Sequence, residues 1–126
     1  MKKVIFILLL ITFPHLIFAS NWTYVTKNRS GDEFFVETTS IRRSGNEVTY
    51  WQKLNYAKRS EFGHLSSKTL YVVNCRTSEN ALTYLITYSD LDNNGSITSS
   101  GKTNIEWTPI PPDSAFASVQ RFVCKY

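Results

Sequence analysis

Apolar and more polar side chains alternate along most of this chain, which is typical of β-strands that bury one face. The clearest run, 82–89, places Leu82, Tyr84, Ile86 and Tyr88 at every second position. Similar runs occur at 21–26, 33–38, 47–57, 68–75 and 96–99, with a weaker one at 102–107. The pattern therefore predicts a mostly β protein.

Short turn-forming segments separate these runs. Two of them are Ser44-Gly45-Asn46 and Asn93-Asn94-Gly95. Glycine and asparagine tolerate the positive φ angles of hairpin turns, so strands that follow one another are predicted to pair antiparallel.

The period changes to three and four after Pro112. Asp113 or Ser114 can cap a helix, and the apolar residues that follow at helical spacing are Phe116, Val119, Phe122 and Val123. Such a helix has an apolar face to bury against a sheet. We therefore predict an α+β, mostly β fold: a curved, half-barrel-like antiparallel sheet of about six strands with one C-terminal helix packed on it.

The first nineteen residues have the pattern of a secretory signal peptide. Lys2 and Lys3 precede an apolar run at 4–17, and the small residue Ala19 follows. A retained membrane anchor is the alternative, but no basic stop-transfer segment comes after the run. We expect cleavage after Ala19 and export to the periplasm, the medium or the cell surface. No cysteine stands at the cleavage point, so we expect no lipid anchor and no lipoprotein.

Length and charge limit the function classes. Removal of residues 1–19 leaves 126 − 19 = 107 residues, and we expect 20–126 to form one domain with one modest core. The formal charge of the full chain is +4, and the loss of two lysines with the signal leaves +2. That balance is too mild to indicate nucleic-acid binding.

The two cysteines suit an exported domain. Cys75 ends an apolar run and Cys124 lies near the C-terminus. We predict a disulfide between them, which by chain-entropy arithmetic stabilises the fold by about 4 kcal/mol. A metal site is the alternative, but two thiols and His64, the single histidine after residue 19, make no ligand cluster. We therefore expect no metal and no cofactor.

One loop resembles half of a calcium site. Asp90, Asp92, Asn94 and Gly95 match the first positions of a calcium-binding loop, but Gly101 stands where a bidentate glutamate is needed. We interpret the segment as a hairpin turn around Asn94-Gly95 and keep weak calcium binding as the alternative.

The residue inventory disfavours an enzyme. His64 follows a glycine in a segment typical of loops, the carboxylates are scattered, and the glycines are isolated turn residues. Bonded cysteines cannot serve as nucleophiles.

A basic aromatic patch is the candidate binding site. Trp51 and Lys53 are two apart in the run 47–57 and share a face, and Lys58 and Arg59 follow just beyond. Trp51 could instead be core beneath the helix. If it is exposed, the four residues suit an acidic glycoprotein partner.

Three segments carry a resemblance to a known family. They are FFVETTSIRRSGN at 34–46, SSKTLY at 66–71 leading to Cys75, and WTPIPPDS at 107–114 followed by Val123-Cys124. Together, and in this order, they resemble the surface-adhesin protein E family of bacterial exported proteins.

The resemblance implies a half-barrel-like sheet with an attached helix, a disulfide from the middle strand to the C-terminus, and no catalytic chemistry. The family's namesake is an adhesin for host extracellular-matrix and serum glycoproteins, so a vitronectin- or laminin-like partner is implied. Two hypotheses follow. One is an exported, non-catalytic module that binds host glycoproteins, and the other is a periplasmic structural or accessory protein with a bacterial envelope partner.

Overall fold

Residues 21–126, which the computed structural model of the protein describes, form eight strands and one α-helix. The strands are β1 (Trp22–Lys27), β2 (Glu33–Glu37), β3 (Arg42–Ser44), β4 (Glu47–Asn55), β5 (Ser66–Asn74), β6 (Glu79–Tyr88), β7 (Ile97–Lys102) and β8 (Thr108–Pro109). The helix is α1 (Ala115–Val123). The predicted signal peptide at 1–19 lies outside the described residues.

All the strands belong to one antiparallel sheet. The main order is β1-β2-β4-β5-β6-β7, while β3 pairs with β4 and β8 pairs with β6. Strands β2 and β3 share one edge of β4, and β7 and β8 share one edge of β6. Because β1 and β7 are the ends of the order and do not pair with each other, the sheet is open. The prediction of about six antiparallel strands is confirmed.

The C-terminal helix begins where the sequence predicts it. Ser114 is the N-cap, and its hydroxyl accepts a hydrogen bond from the Ala117 N–H at 3.1 Å. Ala117, Val119 and Val123 form the buried stripe of the helix, and α1 packs mainly on β1 and β2. Full burial of a valine side chain contributes about 1.5–3 kcal/mol.

The core lies between α1 and one face of the sheet. Tyr50 and Tyr71 are cross-strand partners, and their rings stack with centroids 6.1 Å apart. The ring of Phe116 contacts both Tyr71 and Phe34, at centroid distances of 5.5 and 5.7 Å. Burial raises the pKa of Tyr71 to about 12 and that of Tyr50 still further, so both phenols stay neutral in the core.

A disulfide holds the end of the helix to the sheet. Cys75 and Cys124 are bonded, with their Cα atoms 5.9 Å apart, which confirms the predicted pair. The Arg43 guanidinium on β3 donates to the carbonyl of Cys124 at 2.6 Å and to that of Tyr126 at 2.8 Å. The chain end is therefore fixed by one covalent bond and by charge-assisted hydrogen bonds.

Two strand predictions need correction. The weak run at 102–107 is not a strand: β7 ends at Lys102, and Thr103 turns back to donate its N–H to the Thr83 carbonyl at 3.1 Å. The run 82–89 does not keep one face, because a bulge in β6 places Leu82 opposite Tyr71 but Tyr84 opposite Leu70. Alternation alone does not reveal an inserted residue.

Candidate functional site

The sheet face opposite α1 carries four aromatic rings and two lysines. We call it the aromatic–lysine face, and its members are Trp22, Phe35, Trp51, Lys53, Lys68 and Tyr84. They alternate along their strands with the core residues, so the strands that build the core also build this face.

Register brings these side chains together in rows. Phe35 pairs with Lys53, and Lys53 pairs with Lys68. In the next row, Trp51 and Tyr84 both lie opposite Leu70, and their rings meet edge to face at a centroid distance of 6.2 Å. Rings and cations therefore interleave across β2, β4, β5 and β6.

Lys68 lies between two indoles. Its Nζ is 4.9 Å from the ring centroid of Trp51 and 5.9 Å from that of Trp22. Each cation–π contact of this kind contributes about 0.5–1 kcal/mol at a partly exposed position. No carboxylate of residues 21–126 lies within 4.0 Å of this ammonium. Its positive charge is held in place but is not neutralised.

Lys53 differs from Lys68 in its pairing. It is only 7% exposed, its Nζ lies 4.3 Å from the Phe35 ring centroid, and it forms an ion pair with Asp92 Oδ1 at 3.0 Å. The predicted patch places Lys53 at the surface as a free cation. The structure corrects this, because a buried lysine needs a partner and Asp92 supplies it.

Asp92 is bound from two sides. Asn55 Nδ2 donates to its Oδ1 at 2.8 Å, and its own N–H donates to Asn55 Oδ1 at 2.9 Å. These contacts hold Asp92 at φ 58° and the next residue, Asn93, at φ 61°, which is uncommon for residues other than glycine. The hydrogen bond from Asn55, followed by that from Lys53, lowers the pKa of the Asp92 carboxyl.

One of the possible calcium ligands is already paired. The Asp92 carboxylate is bound by Lys53, while the Asp90 N–H donates to the Asn94 carbonyl at 3.2 Å and closes the turn. Gly95 has φ 78°, and a Cβ there would come within 2.6 Å of Asp90 Oδ2. In the described part of the chain, no three His, Cys, Asp or Glu side chains cluster as metal ligands would.

The profile of one protein family, surface-adhesin protein E, matches residues 22–125. The chain belongs to the surface-adhesin protein E family. This confirms the family predicted from segments 34–46, 66–71 and 107–114.

Solved structures of protein E share the fold. Haemophilus influenzae protein E superposes with a TM-score of 0.65 at 15% identity, over 85% of this chain and 86% of that one. Its selenomethionine form gives 0.66 at 14% identity, over 85% and 88%. Protein E from non-typeable Haemophilus influenzae gives 0.61 at 14% identity, over 81% and 75%. No curated protein matches the sequence significantly.

In this protein E family member, Lys58 and Arg59 lie away from the strands. Both are exposed in the connection between β4 and β5. The Arg59 guanidinium donates to the carbonyls of Gly63 at 3.1 Å and Ser89 at 2.6 Å, so it braces two loops. No helix among residues 21–126 is long and apolar enough to cross a bilayer.

Four members of the aromatic–lysine face are absent from the predicted patch: Trp22, Phe35, Lys68 and Tyr84. The patch is built from one strand and its following loop, whereas the structural face crosses five strands. The signal that points to them is alternation, because each is flanked along its strand by residues of the opposite face. The pairing of strands decides which side chains become neighbours. The residue pattern within a single strand does not reveal that pairing.

Proposed function

We propose that this protein is an exported, non-catalytic binding module that uses the aromatic–lysine face to hold an acidic segment of a protein partner. A host extracellular-matrix or serum glycoprotein is the partner class. The observation that carries the proposal is the unneutralised Lys68 ammonium between Trp51 and Trp22. Membership of a family named for a surface adhesin supports the partner class.

The chemistry of the face suits protein recognition. Tryptophan and tyrosine offer large contact areas with few rotatable bonds, so little side-chain entropy is lost on binding. A lysine held between two rings is already positioned for a carboxylate, and the rings shield the pair from water. Lys53 and Asp92 fix the centre of the face by packing and do not take up the partner's charge.

One feature of the chain supports a role without catalysis. Both cysteines are joined in the disulfide, so neither is a free nucleophile. Export is part of the proposal, and the signal-like sequence pattern of residues 1–19 supports it. Protease treatment of intact cells tests exposure at the surface, since a periplasmic accessory protein would be protected.

Charge reversal at Lys68 tests the binding face. We expect the wild type to bind immobilised vitronectin or laminin, and Lys68→Glu to weaken binding about tenfold or more, equivalent to about 1.4 kcal/mol. Added salt should weaken wild-type binding, because exposed charges are screened over about 10 Å at 0.1 M. Biolayer interferometry across a salt series measures both effects.

Lys125→Glu is the matched control. It makes the same charge change at an exposed position just beyond α1, on the other side of the sheet. Equal losses in the two variants would mean that only net charge matters and would refute the face. Absence of wild-type binding to every matrix and serum glycoprotein tested would refute the partner class and favour a bacterial envelope partner.

A further inference from the structure

The helix covers only part of its side of the sheet. It packs mainly on β1 and β2, and the side chains that face the same way become polar towards β7. One row of register runs Phe34, Leu54, Ser67, Thr87 and Ser99, from β2 to β7. The row therefore changes from apolar groups beneath the helix to hydroxyls beyond it.

A pocket lies over these hydroxyls. Its volume is about 540 Å³, which is within the usual range for small-molecule sites. Two aromatic rings, a histidine, a leucine and three hydroxyls line it: Tyr56, Phe62, His64, Leu85, Thr87, Thr98 and Ser99. Among residues 21–126, no lysine, arginine, aspartate or glutamate lines it. It is separate from the aromatic–lysine face, which lies on the other side of the sheet.

A β-bulge assembles the hydroxyls. Thr87 pairs with Ser99, and the register then shifts so that Thr98 is the extra residue of β7. Consecutive residues of a regular strand point to opposite faces, but Thr98 Oγ1 and Ser99 Oγ both lie 2.6 Å from Thr87 Oγ1. Thr87 is only 3% exposed. Its two hydrogen bonds leave donor and acceptor capacity on Thr98 and Ser99 for a ligand.

One wall of the pocket is the loop at 60–64, which carries the ring of Phe62 at its tip. The Ser60 N–H donates to the His64 carbonyl at 2.9 Å, and the Gly63 N–H donates to the Ser60 carbonyl at 3.0 Å. Phe62, which lies within this turn, is 79% exposed. Tyr56 packs edge to face on the His64 ring at 5.2 Å, and Ser60 Oγ occupies Nδ1 of that ring, which leaves Nε2 for a ligand.

Neutral hydroxyls and aromatic rings match one class of ligand well. A pyranose ring has weakly polarised C–H groups on its face, which suit the negative face of an aromatic ring, and hydroxyls around its rim. Those hydroxyls can both donate to and accept from serine, threonine and histidine. An anionic ligand would find no lysine or arginine in this pocket, and a cationic one would find no carboxylate.

We propose that this pocket is a carbohydrate site that binds a neutral sugar residue. Phe62 and Tyr56 stack against the sugar, and Thr98, Ser99 and His64 bond its hydroxyls. The proposed sugar site does not depend on the aromatic–lysine face. Sugar binding can therefore occur without protein binding, and protein binding without sugar binding.

Nuclear magnetic resonance titration of the ¹⁵N-labelled protein tests this site. The probes are methyl β-D-galactopyranoside, methyl β-D-glucopyranoside and N-acetylglucosamine, with glycerol as a non-sugar polyol. We expect saturable shifts at the amides of Phe62, His64, Thr98 and Ser99 with at least one sugar and none with glycerol. Phe62→Ala should weaken that binding about tenfold.

Matched variants separate recognition from folding. Ile105→Ala removes another exposed apolar side chain, one that is 65% exposed and outside the pocket, and should leave sugar binding unchanged. Thr98→Val should weaken binding and Thr98→Ser should keep it, because only serine retains the hydroxyl. Lys68→Glu should not affect the sugar, whatever it does to protein binding.

Three results would overturn the proposal. They are no saturable shift with any of the three sugars, shifts confined to amides remote from the pocket, and sugar binding that Phe62→Ala and Thr98→Val leave unchanged. Spectra of the free variants will be compared with that of the wild type, and a loss of sugar shifts in a variant whose spectrum is that of a folded protein reports on the site itself.

Discussion

Phe34 and Phe35 are consecutive residues of β2, yet they belong to opposite surfaces. Phe34 is 3% exposed and packs against the Phe116 ring beneath the helix, whereas Phe35 is half-buried below the Lys53 ammonium. Beneath α1, the sheet is closed by apolar packing and by a disulfide. The other side is covered by its own side chains, in which rings and cations stabilise one another without a second layer of structure.

Under the proposed function, this difference lets one sheet provide both stability and recognition. On the helix side, stability comes from area removed from water, so any change of volume is felt. On the aromatic–lysine face, contacts are partly solvated and each is worth about 1 kcal/mol or less. Substitutions there can change what the protein binds while the fold is kept.

Truncation of Phe34 and of Phe35 should give the largest difference in stability between the two faces. We expect Phe34→Ala to lower the free energy of unfolding by about 3–5 kcal/mol, because it opens a cavity in the core. Phe35→Ala should lower it by about 1–2 kcal/mol, since part of the ring is already solvated. Urea denaturation of both variants measures the contrast. Equal losses would mean that the open face is as tightly packed as the core.

Loss of the disulfide should act on the helix side. We expect Cys75→Ala with Cys124→Ala to lower the free energy of unfolding by about 4 kcal/mol, the entropy of closing the intervening loop. Thermal denaturation with and without reductant gives the same comparison for the wild-type chain. Binding that depends on Lys68 should persist below the lowered transition, and its loss in folded protein would couple the two faces.

The pair between Asp92 and Lys53 should have the smallest effect, and it depends on pH. Asp92→Asn keeps an acceptor oxygen for the buried Lys53 and the tolerance for positive φ but removes the charge. Because the Asp92 side chain is 58% exposed, water screens the pair, and we expect a loss of about 1 kcal/mol or less. The folded-state pKa of Asp92 is lowered. Its contribution is therefore complete above the ordinary carboxyl pKa of about 4 and is lost as pH falls through the lowered value.

Urea denaturation of the wild type and of Asp92→Asn between pH 7 and pH 2 checks this pH dependence. As the pH is lowered, the difference between their free energies of unfolding should stay constant down to about pH 4 and then shrink. A difference that grows towards acid would show that Asp92 is not the titrating group.

Much of the architecture can be predicted from the sequence because it repeats locally. Alternation locates most of the strands, and Ser114 with the apolar stripe of α1 locates the helix. The aromatic–lysine face is harder to predict, because the neighbours of Lys68 include Trp22, which lies in another strand. The pocket depends on the bulge at Thr98, where an inserted residue breaks the alternation used for prediction.

The bond between Cys75 and Cys124 also sets how the molecule would carry a mechanical load. A pull between the two ends of the described chain passes from β1 through β5 and then across the sulfur atoms to the C-terminus. Residues 76–123 lie outside that covalent path. Strands β6 to β8 and the helix would therefore be shielded from extension. Residues 21–75 would lengthen under tension, and these include Tyr56, Phe62 and His64 of the proposed sugar pocket.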